Sequence, residues 1–128
     1  MTVNLLAAWI GILLGFIAGA VPGLFFHRDD WLGGYGSWRR RMLRLAHISF
    51  FGIGIINAVF AFTIDALERG GRAPQSVLWP SSLLIAGAMT MPAVCYLSAW
   101  RKSFRHLFFV PVLCLVLGVA MFLREGMP

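Results

Sequence analysis

Four long apolar runs occupy most of this 128-residue chain and constrain its fold more than any motif does. They extend over about Val3–Phe26, about Arg41–Ala66, about Val77–Trp100 and about Ser103–Leu123. A helix of about 20 mostly apolar residues is long enough to cross the hydrocarbon core of a bilayer. Each run is therefore predicted to be a transmembrane helix. Residues 1–128 are predicted to form one all-α domain, an integral membrane four-helix bundle.

The composition favours lipid over water as the solvent of this bundle. Only 12% of the residues are charged and 59% are hydrophobic, whereas soluble domains contain about 25% charged residues. The first run has one alternative, a cleaved signal peptide, since Ala18–Ala20 resembles a cleavage site. Met1–Asn4 has no basic residue, however, and Pro22 lies just past the site. We therefore expect the run to be retained as a helix.

The distribution of basic residues predicts the topology. Of the 11 Lys and Arg residues, eight flank the first and third loops and three flank the opposite side. Short loops rich in Lys and Arg stay in the cytoplasm, so both termini are expected on the outer side of a membrane, most simply a bacterial inner membrane. The net charge of +6 is then explained by contact of the basic residues with anionic lipid. The expected partners are the lipid bilayer and other membrane subunits or further copies of this chain, and not nucleic acid.

Glycine recurs at every fourth position of the first run. Gly11, Gly15, Gly19 and Gly23 share one face if the run is helical. In lipid, such stripes let two helix backbones approach closely. We expect this face to pack on another helix, of this chain or of another subunit; a glycine-lined cofactor groove is the alternative.

Three histidines are the most informative polar side chains for function. The predicted topology puts His27, His47 and His106 near the cytoplasmic ends of their helices, and an ionisable group within a membrane segment is a functional candidate. We expect the three to converge, with His47 facing the bundle interior. The alternative is that they simply reach water or lipid headgroups.

Three kinds of site compete for these residues. In the first, the imidazoles of His47 and His106 ligate a haem b iron from two facing helices. In the second, a quinone lies at the membrane interface and exchanges protons with a histidine or an aspartate. The quinone candidates are His27, Asp30, Tyr35, Arg44 and His47. In the third, two histidines and a carboxylate hold a non-haem metal, and the histidine candidates are His47 and His106.

The second run also carries a polar residue near its middle. Asn57 lies on the same helical face as His47 and Gly54. Its amide is expected to hydrogen-bond another helix, and a cofactor-binding role is the alternative.

These features predict a small integral membrane subunit of a redox or respiratory-type complex. It contributes packing surface and part of a haem or quinone site at the cytoplasmic end. Two alternatives stay open: a small homo-oligomeric channel or transporter, and a structural accessory subunit without a cofactor. The sequence contains no nucleophile, phosphate-loop or metalloprotease motif that identifies an enzyme.

Overall fold

The computed structural model describes residues 2–126, and the regular secondary structure in this range is helical, without any strand. The main helices of this range are α1 (Thr2–Gly23), α2 (Trp38–Arg69), α3 (Leu78–Trp100) and α4 (Phe109–Gly126). Two 3-10 segments, Trp31–Gly33 and Lys102–Phe108, precede α2 and α4. Each main helix is long and apolar enough to cross a membrane, the fourth when taken together with its 3-10 segment.

Each helix packs mainly on its neighbour in the chain. The extensive interfaces are α1 with α2, α2 with α3, and α3 with α4, and a smaller one joins α1 to α3. Four successive helices bring the beginning and the end of the described range to the same end of the bundle. We call this the terminal end. The opposite end holds residues 24–37 and Lys102–Phe108, and we call it the arginine-rich end.

The boundaries of α1 and α2 differ from the predicted ones by about three residues. α2 begins at Trp38 because the Ser37 hydroxyl accepts a hydrogen bond from the Arg40 backbone N–H at 3.3 Å. This N-cap starts the helix in a polar first turn, and hydropathy does not detect such a turn. α1 ends at Gly23, and the chain continues in tighter turns, as in the bond from the Phe25 N–H to the Pro22 carbonyl.

The beginning of α4 is also later than predicted. The fourth apolar run starts near Ser103, but Lys102–Phe108 is a 3-10 segment and α4 starts at Phe109. Pro111 is the reason, because proline has no N–H and its ring excludes a regular helical turn before it. In the first turn of a helix the missing N–H has no cost, since the first N–H groups have no partner within the helix. The proline ring also meets no preceding helical turn there.

The glycine stripe of α1 packs on α2 of the same chain. A Cβ atom on Gly11 would lie 3.2 Å from the Phe50 carbonyl oxygen, and one on Gly15 would lie 2.8 Å from the Phe51 ring. A Cβ atom on Gly19 would collide with the imidazole of His47. The predicted packing is therefore confirmed for these three glycines. It is wrong for Gly23, where an added Cβ meets nothing within 4 Å because α1 ends there.

Glycines also set the distance between α3 and α4. A Cβ atom on Gly87 would lie 2.5 Å from the Leu115 side chain, and one on Gly118 would lie 3.2 Å from Leu84. Leu84 belongs to an apolar cluster with Phe60 and Ile64. Phe60 and Ile64 belong to α2, Leu84 belongs to α3, and Leu115 of α4 packs against them. Three of the four helices therefore meet in this cluster.

Candidate functional site

A cavity of about 80 Å³ opens at the arginine-rich end, between α1, α2 and the chain that connects them. Its lining combines two arginines and a histidine with aromatic and small apolar residues. These residues are Ala18, Gly19, Pro22, Phe26, Trp31, Arg40, Leu43, Arg44 and His47. The polar members come from successive turns of α2, because positions 40, 44 and 47 share one helix face.

The connecting chain folds back over α2 through a turn in the left-handed region. Leu32, Gly33 and Gly34 have φ values of 54°, 84° and 88°, which glycine adopts without steric cost. Just before this turn, the Trp31 ring stacks on the ring of Phe25, which follows the end of α1, with 5.3 Å between the ring centroids. An aromatic cover thus lies over the first turn of α2.

Arg40 lies beneath this cover and is only 4% exposed. The carbon at the centre of its guanidinium group lies 6.0 Å from the Phe26 ring, 5.5 Å from the Trp31 ring and 5.9 Å from the Tyr35 ring. An aromatic face attracts a cation at such distances. One terminal nitrogen also donates to the Asp29 carbonyl oxygen at 3.4 Å.

Among the described residues, no carboxylate pairs with the charge of Arg40. Within residues 2–126, the ion pairs join Arg28 to Asp30 and Arg69 to Asp65. The Nε atom of Arg40 is buried and donates no hydrogen bond. A buried charge is costly unless it is paired and hydrogen-bonded, so the Arg40 side chain is suited to an anion or another strong acceptor.

Arg44 lines the cavity and contacts Tyr35, which is outside the lining. Arg44 donates to the Tyr35 carbonyl oxygen at 3.1 Å, and its guanidinium lies 4.2 Å from the Tyr35 ring centroid. The Tyr35 side chain itself is 72% exposed. Two of the predicted quinone-site residues therefore contact each other, and of these two only Arg44 lines the cavity.

His47 faces α1 within the bundle. Its Nδ1 atom lies 2.9 Å from the Gly15 carbonyl oxygen. Because a carbonyl can only accept, this bond requires the proton on Nδ1, and a neutral imidazole then has its lone pair on Nε2. Metal-binding and proton-accepting histidines commonly have this arrangement.

The other predicted site residues lie away from this cavity. His27 is exposed in the connecting chain, and Asp30 is exposed and 3.9 Å from the Arg28 side chain. His106 is exposed in Lys102–Phe108, which packs on α3 and α4, whereas His47 packs on α1. The three histidines thus do not converge on one cavity. In the part of the chain that the structure describes, no three His, Cys, Asp or Glu residues are grouped closely enough to hold a metal ion.

Asn57 belongs to a separate polar network that joins three helices. It is fully buried, its Oδ1 accepts from Asn4 Nδ2 at 2.8 Å, and its Nδ2 donates to the Ile53 and Leu84 carbonyl oxygens at 3.0 and 3.3 Å. The Ser81 hydroxyl donates to Asn4 Oδ1. Both amide protons of Asn57 are therefore used within the protein, as the interhelical interpretation predicts.

Sequence reasoning missed Arg40, its aromatic cover and Asn4. The spacing of Arg40, Arg44 and His47 was a usable signal, since it puts all three on one face of α2. The interpretation of the basic residues as a contact with anionic lipid did not consider this shared face. Asn4 was detectable as a strongly polar residue at the beginning of an apolar run.

The charged side chains of the cavity lining, Arg40 and Arg44, are cationic hydrogen-bond donors set among mainly apolar residues. Arg40 and Arg44 can only donate, and His47 adds an imidazole nitrogen, Nε2, that can accept a hydrogen bond. Such a site is suited to a group with several acceptor oxygens. Comparisons with protein families, with curated proteins and with solved structures found no match for this chain.

Proposed function

We propose that this chain is a small multi-pass membrane subunit that binds the anionic headgroup of an amphiphile in the cavity at its arginine-rich end. The observation that carries the proposal is Arg40, a cavity-lining residue that is 4% exposed, has no carboxylate partner within residues 2–126, and has a buried Nε that donates no hydrogen bond. A headgroup oxygen would supply the missing acceptor.

The size of the cavity favours a compact headgroup. A closed cavity of about 150 Å³ is enough to hold benzene in a protein core, and this partly open cavity measures about 80 Å³. A phosphate or carboxylate fits such a space, whereas a haem macrocycle is far larger. The proposed cytoplasmic orientation agrees with this ligand, because anionic lipids are abundant in the cytoplasmic leaflet.

Substitution Arg40→Gln is expected to weaken the binding of a short-chain phosphatidic acid by about tenfold to a hundredfold. Hydrogen bonds to charged groups contribute about 1.5–3 kcal/mol, and each 1.4 kcal/mol corresponds to about tenfold in affinity. The measurement is isothermal titration of the purified protein in uncharged detergent, with short-chain phosphatidylcholine as the neutral reference ligand.

The matched control is Arg39→Gln, which removes the same charge from the exposed neighbouring residue. We expect it to change the affinity less than twofold. Equal losses in the two variants would indicate a general attraction of the basic surface for anionic lipid and would contradict a site at Arg40. Thermal melting of each variant shows whether it is folded.

The proposed orientation predicts different accessibility of the two ends. After replacement of Cys95 and Cys114 by alanine, a cysteine at Gln75 should react with a membrane-impermeant maleimide in intact cells. A cysteine at Gly36 should react only after permeabilisation. Both positions are exposed, and an added Cβ at Gly36 meets no atom within 4 Å. The opposite labelling pattern would put the arginine-rich end and its cavity on the outer side.

A second candidate function is the redox role, which the hydrogen bond of His47 favours. With Nδ1–H donated to Gly15, the Nε2 atom of His47 carries the lone pair of a neutral imidazole. A quinol hydroxyl could give its proton to Nε2 as the quinol is oxidised and its electrons pass to a redox partner subunit of the complex. The carbonyl oxygen of the resulting quinone could then accept a hydrogen bond from Arg44 or Arg40. Extraction of the purified membrane complex and quinone analysis would test this role, and a Soret band in its visible spectrum would indicate bound haem instead.

A further inference from the structure

A long apolar groove begins at the headgroup cavity and follows α1 towards the terminal end. Its first part, about 380 Å³, shares Ala18, Pro22, Trp31 and Leu43 with the cavity. Its second part, about 580 Å³, shares Leu14, Phe50 and Tyr96 with the first part and extends to Val3 between α1 and α3. We call the two parts together the α1–α3 groove.

The groove is open because α1 packs closely on α2 but makes only a small interface with α3. Small residues on α3, Ala88 and Ala93, leave the space between α1 and α3 open above Phe50. The lining of both parts contains no charged side chain. The groove therefore offers a hydrocarbon surface that is continuous with a cationic cavity at one end.

The length of the groove restricts what fills it. The groove follows α1 from Pro22 to Val3. At a rise of 1.5 Å per residue, this part of the helix is about 28 Å long. The hydrocarbon core of a bilayer is about 30 Å thick, so one leaflet contributes about 15 Å. An acyl chain of a phospholipid in the inner leaflet would fill about half of the groove.

We propose that the ligand is a phosphate ester of one long hydrocarbon chain, represented in the test by a polyprenyl phosphate, with the phosphate at Arg40 and the chain lying along the α1–α3 groove. This inference rests on the proposed function for the headgroup and adds the class of the tail. One long chain fills the groove from the cavity to the terminal end, and the phosphate satisfies the donors of Arg40 and Arg44.

Three probes separate the head from the tail. They are inorganic phosphate, geranyl phosphate with its short tail, and a long-chain polyprenyl monophosphate, each titrated into the purified full-length protein in uncharged detergent. We expect the long-chain compound to bind at least tenfold more tightly than geranyl phosphate, and geranyl phosphate more tightly than inorganic phosphate. A short-chain phosphatidic acid serves as the two-chain comparison and should not exceed geranyl phosphate.

Substitution Ala88→Phe fills the far part of the groove. It should reduce the affinity for the long-chain compound to near that for geranyl phosphate and leave geranyl phosphate binding unchanged. Ala93→Phe, at an exposed position of the same lining, should act alike if Ala88→Phe is poorly folded. Ala20→Phe is the control, since Ala20 is exposed on α1 outside the groove lining.

The outcomes distinguish the two proposals. Equal affinities for long and short chains, or no effect of both groove variants, would overturn the tail inference while the headgroup site stands. If Arg40→Gln leaves the binding of all phosphate compounds unchanged, the headgroup proposal fails. Preferential binding of phosphatidic acid would assign the cavity to an ordinary membrane phospholipid and would also overturn the tail inference.

Discussion

Replacement of Gly54 by leucine is expected to separate α1 from α2 and to cause the largest loss of stability of any single substitution considered for this chain. A Cβ atom at Gly54 would lie 3.2 Å from the Ala8 carbonyl oxygen and 3.7 Å from the Ile12 backbone nitrogen. These are main-chain atoms of a helix, which cannot rotate away as a side chain does. The opposing Gly11 is so close that its added Cβ would lie 3.7 Å from the Gly54 Cα atom.

The control for this experiment lies on the same helix. An added Cβ at Gly52 meets no atom within 4 Å, so Gly52→Leu adds the same side chain and the same gain in helix propensity without the collision. Overpacking costs about 1–3 kcal/mol where a core can adjust, and we expect at least the upper value for Gly54→Leu. Near-ultraviolet circular dichroism during heating in detergent gives the midpoints. Similar midpoints for the two variants would contradict close contact between the α1 and α2 backbones.

The helices could be predicted from the sequence because hydropathy alone determines which segments are long and apolar enough to span a membrane. Their boundaries could not, because they depend on local groups. The Ser37 cap extends α2 into a polar turn, and Pro111 delays the start of α4. The partner of the glycine stripe could not be predicted either, because Gly11 and Gly15 are equally suited to a helix of this chain or of another.

The candidate site was only partly predictable for a similar reason. His47 and Arg44 were identified because ionisable residues in or beside apolar runs are conspicuous. Arg40 was not, because its burial depends on the turn through Gly33 and Gly34 that brings Trp31 over it. The depth of His106 along its helix suggested a pair with His47, but depth does not determine which neighbours a residue has. His106 precedes α4, which packs on α3, and His47 packs on α1.

Substitution Asn57→Ala is expected to destabilise the bundle by about 2–3 kcal/mol. It removes three hydrogen bonds that join α2 to α1, to α3 and to its own preceding turn. Hydrogen bonds between membrane helices contribute about 0.6 kcal/mol on average and about 1.7 kcal/mol at most. The Asn4 amide would also be left partly unsatisfied in a buried place, which costs about 1–3 kcal/mol. Thr63→Ala is the control, because that hydroxyl bonds only to the Val59 carbonyl of its own helix, at 2.7 Å.

A double-mutant cycle of Asn4→Ala and Asn57→Ala isolates the contact between the two amides. We expect a coupling energy of about 0.6–1.7 kcal/mol, because each substitution alone removes the same 2.8 Å bond. Unfolding in detergent, followed by near-ultraviolet circular dichroism, supplies the four free energies. Additive losses would mean that the two side chains do not bond to each other. If Asn57→Ala instead leaves stability unchanged but lowers ligand affinity, the network is a binding site, and the alternative that the sequence left open for Asn57 is correct.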